Sequence, residues 1–143
     1  MPKRLKILFL CTGNSCRSQM AEGWARHLAG NRIEPYSAGV VAHGLDARAV
    51  KVMAEAGVDI SGQKSKTTAD LADVPFDCVI TLCSLAQEAC PAFPSSTRGI
   101  HVGFDDPPTL ARFAATEEQA LAHYRRVRDE IRAFVESLPG SLR

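Results

Sequence analysis

The stretch "LKILFLCTGNSCRS", residues 5–18, decides the architecture of this chain. Its apolar run stops at Cys11. Small polar residues around Gly13 follow, then Cys16, Arg17 and Ser18. A short apolar run closed by Thr-Gly-Asn reads as a buried strand. From Arg17 the period changes. Met20, Trp24 and Leu28 recur at helical spacing until Gly30-Asn31 stops the element. The order is therefore strand, loop, helix, with a thiol at the strand's end and a guanidinium at the helix's start.

The pattern repeats outward from there. "IEPYSAG", residues 33–39, reads as a second strand, and its Pro35 suits an edge position. "DARAVKVMAEAG", residues 46–57, reads as a helix with Val50 and Met53 inward and Gly57 as its stop. "DCVITLC", residues 77–83, is a second fully apolar run and so a central strand. "GIHVGF", residues 99–104, is the fourth strand candidate. Leu121, Tyr124, Val127, Ile131, Val135 and Leu138 mark one face of a long last helix, with Thr116 and Gln119 as a capping box and Pro139-Gly140 after it. Strands alternating with helices imply an α/β fold, a parallel sheet covered on both faces. Ligands in such folds sit at the carboxyl ends of the strands. The spacing sends Cys11 and Cys83 to that edge.

Composition narrows the function classes. The 143 residues fit a single domain, residues 1–143, with 45% apolar and 23% charged residues, the balance of an ordinary globular protein. A net charge of +1 provides no field to draw the chain to nucleic acid or membrane. The apolar core from Ile7 to Leu10 is shorter than a secretory signal requires, so the expected location is the cytoplasm. An odd count of five cysteines, at 11, 16, 78, 83 and 90, argues against a disulfide framework and for buried or reactive thiols. Cys83 and Cys90 are too far apart for a zinc knuckle and no second ligand pair completes one, so no metal is expected.

The loop after Cys11 has a definite chemistry. If Thr12, Gly13, Asn14, Ser15, Cys16, Arg17 and Ser18 wrap into the start of a helix, their backbone N–H groups form an anion nest. Gly13 permits a positive φ or a close backbone approach. Arg17 adds a forked, permanently charged donor for a tetrahedral oxyanion. Cys11 lies at the base of this cup, which favours thiolate, the nucleophilic form. Ser18 can donate a hydrogen bond to its sulfur. The loop therefore binds a tetrahedral oxyanion and attacks its central atom with sulfur. Cys16 reads best as a small side chain packed at the helix start, and Cys78, Met20 and Trp24 as core.

The string "CTGNSCRSQMAEG", residues 11–23, resembles the low-molecular-weight protein tyrosine phosphatase superfamily and, within it, the thioredoxin-coupled arsenate reductases. "YSAG", "DISG", "VITLCS", "GFDDP" and "RVRDEI" follow in that family's order, so the resemblance spans nearly the whole chain. It implies a four-stranded parallel sheet flanked by helices. It implies that Asp106, directly before Pro107, is the general acid and Asp105 its acidic neighbour. Where the tyrosine phosphatases usually carry two Tyr after this Asp-Pro, Pro108 and Thr109 stand here.

The segment "CSLAQEAC", residues 83–90, separates the two branches. Ser84 and Gln87 fit a capping box, which predicts a short helix between Cys83 and Cys90. On an intact helix the two thiols would lie about 10.5 Å apart along the axis, and a disulfide needs Cα atoms within about 7 Å. A bond between them requires that helix to unwind. The residues alone allow either a redox pair or two buried thiols flanking a helix. The resemblance favours the redox pair, because such reductases carry it and the phosphatases do not. It implies arsenate as substrate, a Cys11, Cys83, Cys90 relay, thioredoxin as reductant, no cofactor and a monomer. The alternative is a low-molecular-weight tyrosine phosphatase. Several of these reductases also bind a potassium ion beside the loop, through side chains matching Asn14, Glu22 and Ser37 plus an Asp. Lys66 stands where that Asp would fall, and its ammonium is expected to take the ion's place against Glu22 and Asn14.

Overall fold

The computed structural model describes residues 4–83, 86, 93 and 96–140. The chain runs β1 (Leu5–Cys11), α1 (Arg17–Ala29), β2 (Ile33–Gly39), α2 (Ala47–Glu55), a 3-10 turn (Thr68–Leu71), β3 (Cys78–Thr81), β4 (Arg98–His101), α3 (Pro107–Ala111) and α4 (Glu117–Glu136). The strands form one sheet in the order β2-β1-β3-β4, and every neighbouring pair is parallel. The chain steps from β1 to β2 on one side and later fills β3 on the other. That reversal opens a crevice at the carboxyl end of β1, where ligands of open α/β sheets bind. Cys11 is the last residue of β1.

Burial follows the pattern read from the sequence. Ile7 to Leu10 are fully buried, as two-sided cover of a central strand requires. Pro35 lies on β2, the sheet edge, where its missing N–H costs no ladder bond. Helix α1 turns Met20 and Trp24 into the core, and the Trp24 indole donates to the Arg128 carbonyl of α4 at 3.2 Å. Tyr124, Val127, Ile131 and Val135 form the buried stripe of α4. Tyr36, Phe76 and Phe93 pack edge to face in series.

Three local readings shift. On α2 the fully buried residues are Ala49, Val52 and Met53, while Val50 packs at the margin. The Asp46 N-cap fixes the helix's rotation by accepting from the Arg48 and Ala49 N–H groups. At the start of α4, Thr116 accepts from the Gln119 N–H at 3.1 Å, but the Gln119 side chain reaches the N–H of Ala115 and not of Thr116. Strand β4 stops at His101, so Val102 to Phe104 lead out of the sheet toward Asp106. The helix expected from Ser84 and Gln87, and with it Cys90, lies outside the described residues. No helix among the described residues is long and apolar enough to cross a membrane.

Candidate active site

The loop from Thr12 to Cys16 is shaped by what holds its carbonyls. Val40 N–H donates to Cys11 O at 3.2 Å, Val41 to Thr12 O at 3.1 Å, His43 to Gly13 O at 2.9 Å and Asp46 to Ser15 O at 2.9 Å. The Gln19 amide donates to Asn14 O at 3.0 Å. The segment between β2 and α2 therefore grips the carbonyls of Cys11, Thr12, Gly13 and Ser15, while α1 takes those of Asn14 and Cys16. Among the described residues no acceptor takes the backbone N–H groups from Thr12 to Ser18. Buried N–H groups without partners are rare, and a consecutive set turned one way is an anion nest. The start of α1 adds its own orphan donors and dipole.

The positive φ falls on Asn14, at 47°, and not on Gly13. Asparagine tolerates this region better than other side chains. Its amide is locked: Nδ2 donates to Ser18 Oγ at 2.8 Å, and Oδ1 accepts from Gln19 Nε2 at 2.9 Å and from the Lys66 backbone N–H at 2.7 Å. Gly13 serves the other purpose read for it, close approach. A Cβ there would sit 2.6 Å from His43 Nδ1. Gly39 is tighter still, since a Cβ would meet Val41 O at 2.3 Å and Asn14 N at 2.7 Å. Those contacts are backbone and cannot swing aside. Gly39→Ala should therefore cost about 1–3 kcal/mol of stability and weaken oxyanion binding by moving the loop. Chemical denaturation and phosphate titration of the variant check both effects.

Cys11 is buried at the base of the nest, its sulfur 2.8 Å from Ser18 Oγ. Because Ser18 accepts from Asn14, its own proton is free to go to the sulfur. Arg17 closes the cup: Nη1 donates to Phe104 O at 3.1 Å and Nη2 lies 3.4 Å from Asp106 Oδ1. Asp106 occupies the N-cap position of α3 but caps nothing. Its carboxylate instead faces Arg17 and accepts from Thr109 Oγ1 at 2.6 Å. Asp105 points away, paired with Arg126 of α4 at 2.9 Å. The cleft has a volume of 250 Å³, and Cys11, Arg17 and Asp106 all line it.

Cys83 lies beyond β3, which ends at Thr81, rather than on the strand's last residue. It nevertheless reaches the loop. Its sulfur is 3.2 Å from Thr12 Oγ1 and receives the Ala86 N–H at 3.4 Å. A second buried thiol thus stands beside the residue that follows Cys11. Cys16 is also buried next to the site. Burial first, then the charges of Asp46, Cys11 and Asp106, push its thiol well above the usual range, with Arg17 opposing. It is a neutral thiol and a weak nucleophile. Burial likewise pushes Cys78 up to about 11. Both fit the packing role read for them.

Lys66 reaches Glu22 with its ammonium at 3.9 Å and donates to Lys64 O at 2.6 Å. Its contact with Asn14 runs through its backbone N–H, not its ammonium. Glu22 also accepts from Ser37 Oγ at 2.5 Å and pairs with Arg26 at 2.6 Å. Burial pulls the Lys66 pKa below its usual value while Glu22 pulls it back. Among the described residues no group of three or more His, Cys, Asp and Glu side chains converges as a metal site would need.

Two cleft-lining residues escaped the sequence reading, His43 and Arg112. His43 sits in the irregular link between β2 and α2, and Arg112 follows the short α3, where no periodicity points to either. The only available signal was their nearness in sequence to Gly39 and to Asp106-Pro107.

The family model of the low molecular weight phosphotyrosine protein phosphatases matches residues 6–143. The chain is 52% identical over 125 residues to an arsenate reductase of Halalkalibacterium halodurans, covering 87% of this chain and 88% of that one. A solved structure of an arsenate reductase in the phosphate-binding state superposes with a TM-score of 0.77 at 31% identity, covering 97% of this chain and 99% of the other. A low molecular weight protein tyrosine phosphatase of T. tengcongensis superposes with a TM-score of 0.73 at 26% identity, covering 96% and 99%.

Proposed function

We propose that this chain, which belongs to the low molecular weight phosphotyrosine protein phosphatase family, is an arsenate reductase that works by a thiol relay. The observation that carries this reading is the second thiol at the cup, Cys83 Sγ beside Thr12 Oγ1. A phosphatase needs the nest, the nucleophile and an acid, but no such thiol. The curated relative at 52% identity, an arsenate reductase, supports the same choice.

In this account the nest and Arg17 hold three oxygens of arsenate. The Cys11 thiolate attacks arsenic, and the departing oxygen leaves as water after Asp106 donates a proton. Cys83 thiolate then attacks the Cys11 sulfur. The electron pair of the S–As bond passes to arsenic, and arsenite leaves with the metalloid reduced from +5 to +3. Cys90 attacks Cys83 and releases Cys11 as thiolate, leaving a Cys83–Cys90 disulfide. A dithiol reductant of the thioredoxin class reduces that disulfide by ordinary exchange. No organic cofactor or catalytic metal enters the scheme. The test is arsenite production with thioredoxin, thioredoxin reductase and NADPH, run beside phosphate release from an aryl phosphate. Turnover of the ester with no arsenite would make the chain a phosphatase.

The same account makes Lys66 a built-in replacement for a free ion, through its ion pair with Glu22. Melting temperature and kcat/KM should then be equal in potassium and sodium at the same ionic strength. Lys66→Asp should create a preference for potassium, since a ligand that binds the native state raises stability by mass action. Paired thermal melts in the two salts check this, and a potassium-specific rise in the unmutated protein would reject it.

A further inference from the structure

Arg112 is the C-cap residue of α3, exposed at the mouth of the cleft that holds Cys11, Arg17 and Asp106. Among the described residues its guanidinium has no carboxylate within ion-pair distance and no side-chain hydrogen bond. Arg4, Arg26, Arg48, Arg125 and Arg126 are all paired with carboxylates, those of Glu34, Glu22, Glu117, Glu118 and Asp105 in turn. Arg32 and Arg98 are also without such partners among the described residues, but neither lines the cleft.

The charge balance of the cleft gives this free cation a task. Arg17 is engaged by Asp106. Before Asp106 takes up the proton it later donates, Arg17, Asp106 and a Cys11 thiolate together carry a net negative charge. A multiply charged anion must enter against that sum. Exposed charges act over about 8–10 Å at ordinary salt, enough to reach across a cleft of this size. A guanidinium keeps its charge at every working pH and offers forked donors to tetrahedral oxygens.

We propose that Arg112 is a specificity-determining residue that draws small, multiply charged tetrahedral oxyanions into the cup and holds them at its mouth before Cys11 attacks. The inference rests on the oxyanion-binding part of the reading above and not on the thiol relay. A fixed charge at the rim favours small inorganic anions over an aromatic ester, whose ring gains from apolar surface.

The experiment compares the unmutated protein with Arg112→Gln and Arg112→Lys. Titration with inorganic phosphate, which involves no redox step, should show the dissociation constant of Arg112→Gln raised about tenfold at low ionic strength. With arsenate, kcat/KM should fall by a similar factor through KM, with kcat unchanged, and its dependence on salt should flatten. Arg112→Lys should recover most of both. Unchanged phosphate affinity and unchanged salt dependence in Arg112→Gln would overturn the proposal, as would a loss confined to kcat. Failure of the thiol relay alone would leave the phosphate result standing, so the two readings fail separately.

Discussion

Cys11→Ser should abolish arsenite formation and aryl phosphate hydrolysis alike, whereas Cys83→Ala should abolish the first and leave the second largely intact. Removal of a nucleophile from an organised site costs on the order of 10⁶-fold. Cys11 is buried at the base of the nest, and in the proposed account both reactions begin at its sulfur. Among the described residues Cys83 meets the loop at Thr12 Oγ1, and it does not line the cleft that Cys11 lines. It becomes essential only when the electron pair of the Cys11 S–As bond must pass to arsenic, because its attack on the Cys11 sulfur releases that pair. Parallel arsenite and phosphate assays on the two variants read the difference directly. Equal loss of ester hydrolysis in both would place Cys83 in the binding machinery instead of the relay.

Asp106→Asn should lower turnover by about 10²–10⁴-fold, the usual worth of general acid–base assistance, and Asp105→Asn should cost much less. The two carboxylates are neighbours in sequence but face different partners. Asp106 is turned to Arg17 and lines the cleft. Asp105 is spent on Arg126, with its side chain 64% exposed. Asparagine keeps the shape of Asp106 and can still accept from Thr109 Oγ1, so the fold should survive. Steady-state rates of the two variants, with melting temperatures as a check on folding, decide the assignment. A larger loss at Asp105 would reverse it.

The parts of this molecule that were legible in the sequence are those governed by period and burial. Ile7 to Leu10 could only be a covered strand, and Met20 and Trp24 only the inner face of α1. Pro35 reported its edge position because a proline in a central strand breaks the ladder. The anion loop was legible because its chemistry is local: a strand end, small residues and Arg17 in one short run. Long-range grips were not. Nothing in the sequence shows that Val40, Val41, His43 and Asp46 take the loop carbonyls, yet that arrangement turns the N–H groups inward. Val50, read as inward, does pack against the core but stays partly exposed, while Ala49, Val52 and Met53 are fully buried. The left-handed residue was sought at Gly13, but Asn14 can adopt that backbone and also spend its amide on three partners. The proposed role of Asp106 came from resemblance; the structure places its carboxylate against Arg17 at the cleft. Cys90 falls outside the described residues, and its part in the relay comes from the resemblance.

The most direct measurement of the relay uses Cys90→Ser and a single equivalent of arsenate, with no reductant present. Peptide mapping by mass spectrometry under acid quench then locates the disulfide. The account predicts one equivalent of arsenite and a Cys11–Cys83 bond that accumulates because nothing is left to resolve it. Sustained thioredoxin-linked turnover by this variant, or arsenite released without a Cys11–Cys83 bond, would contradict it.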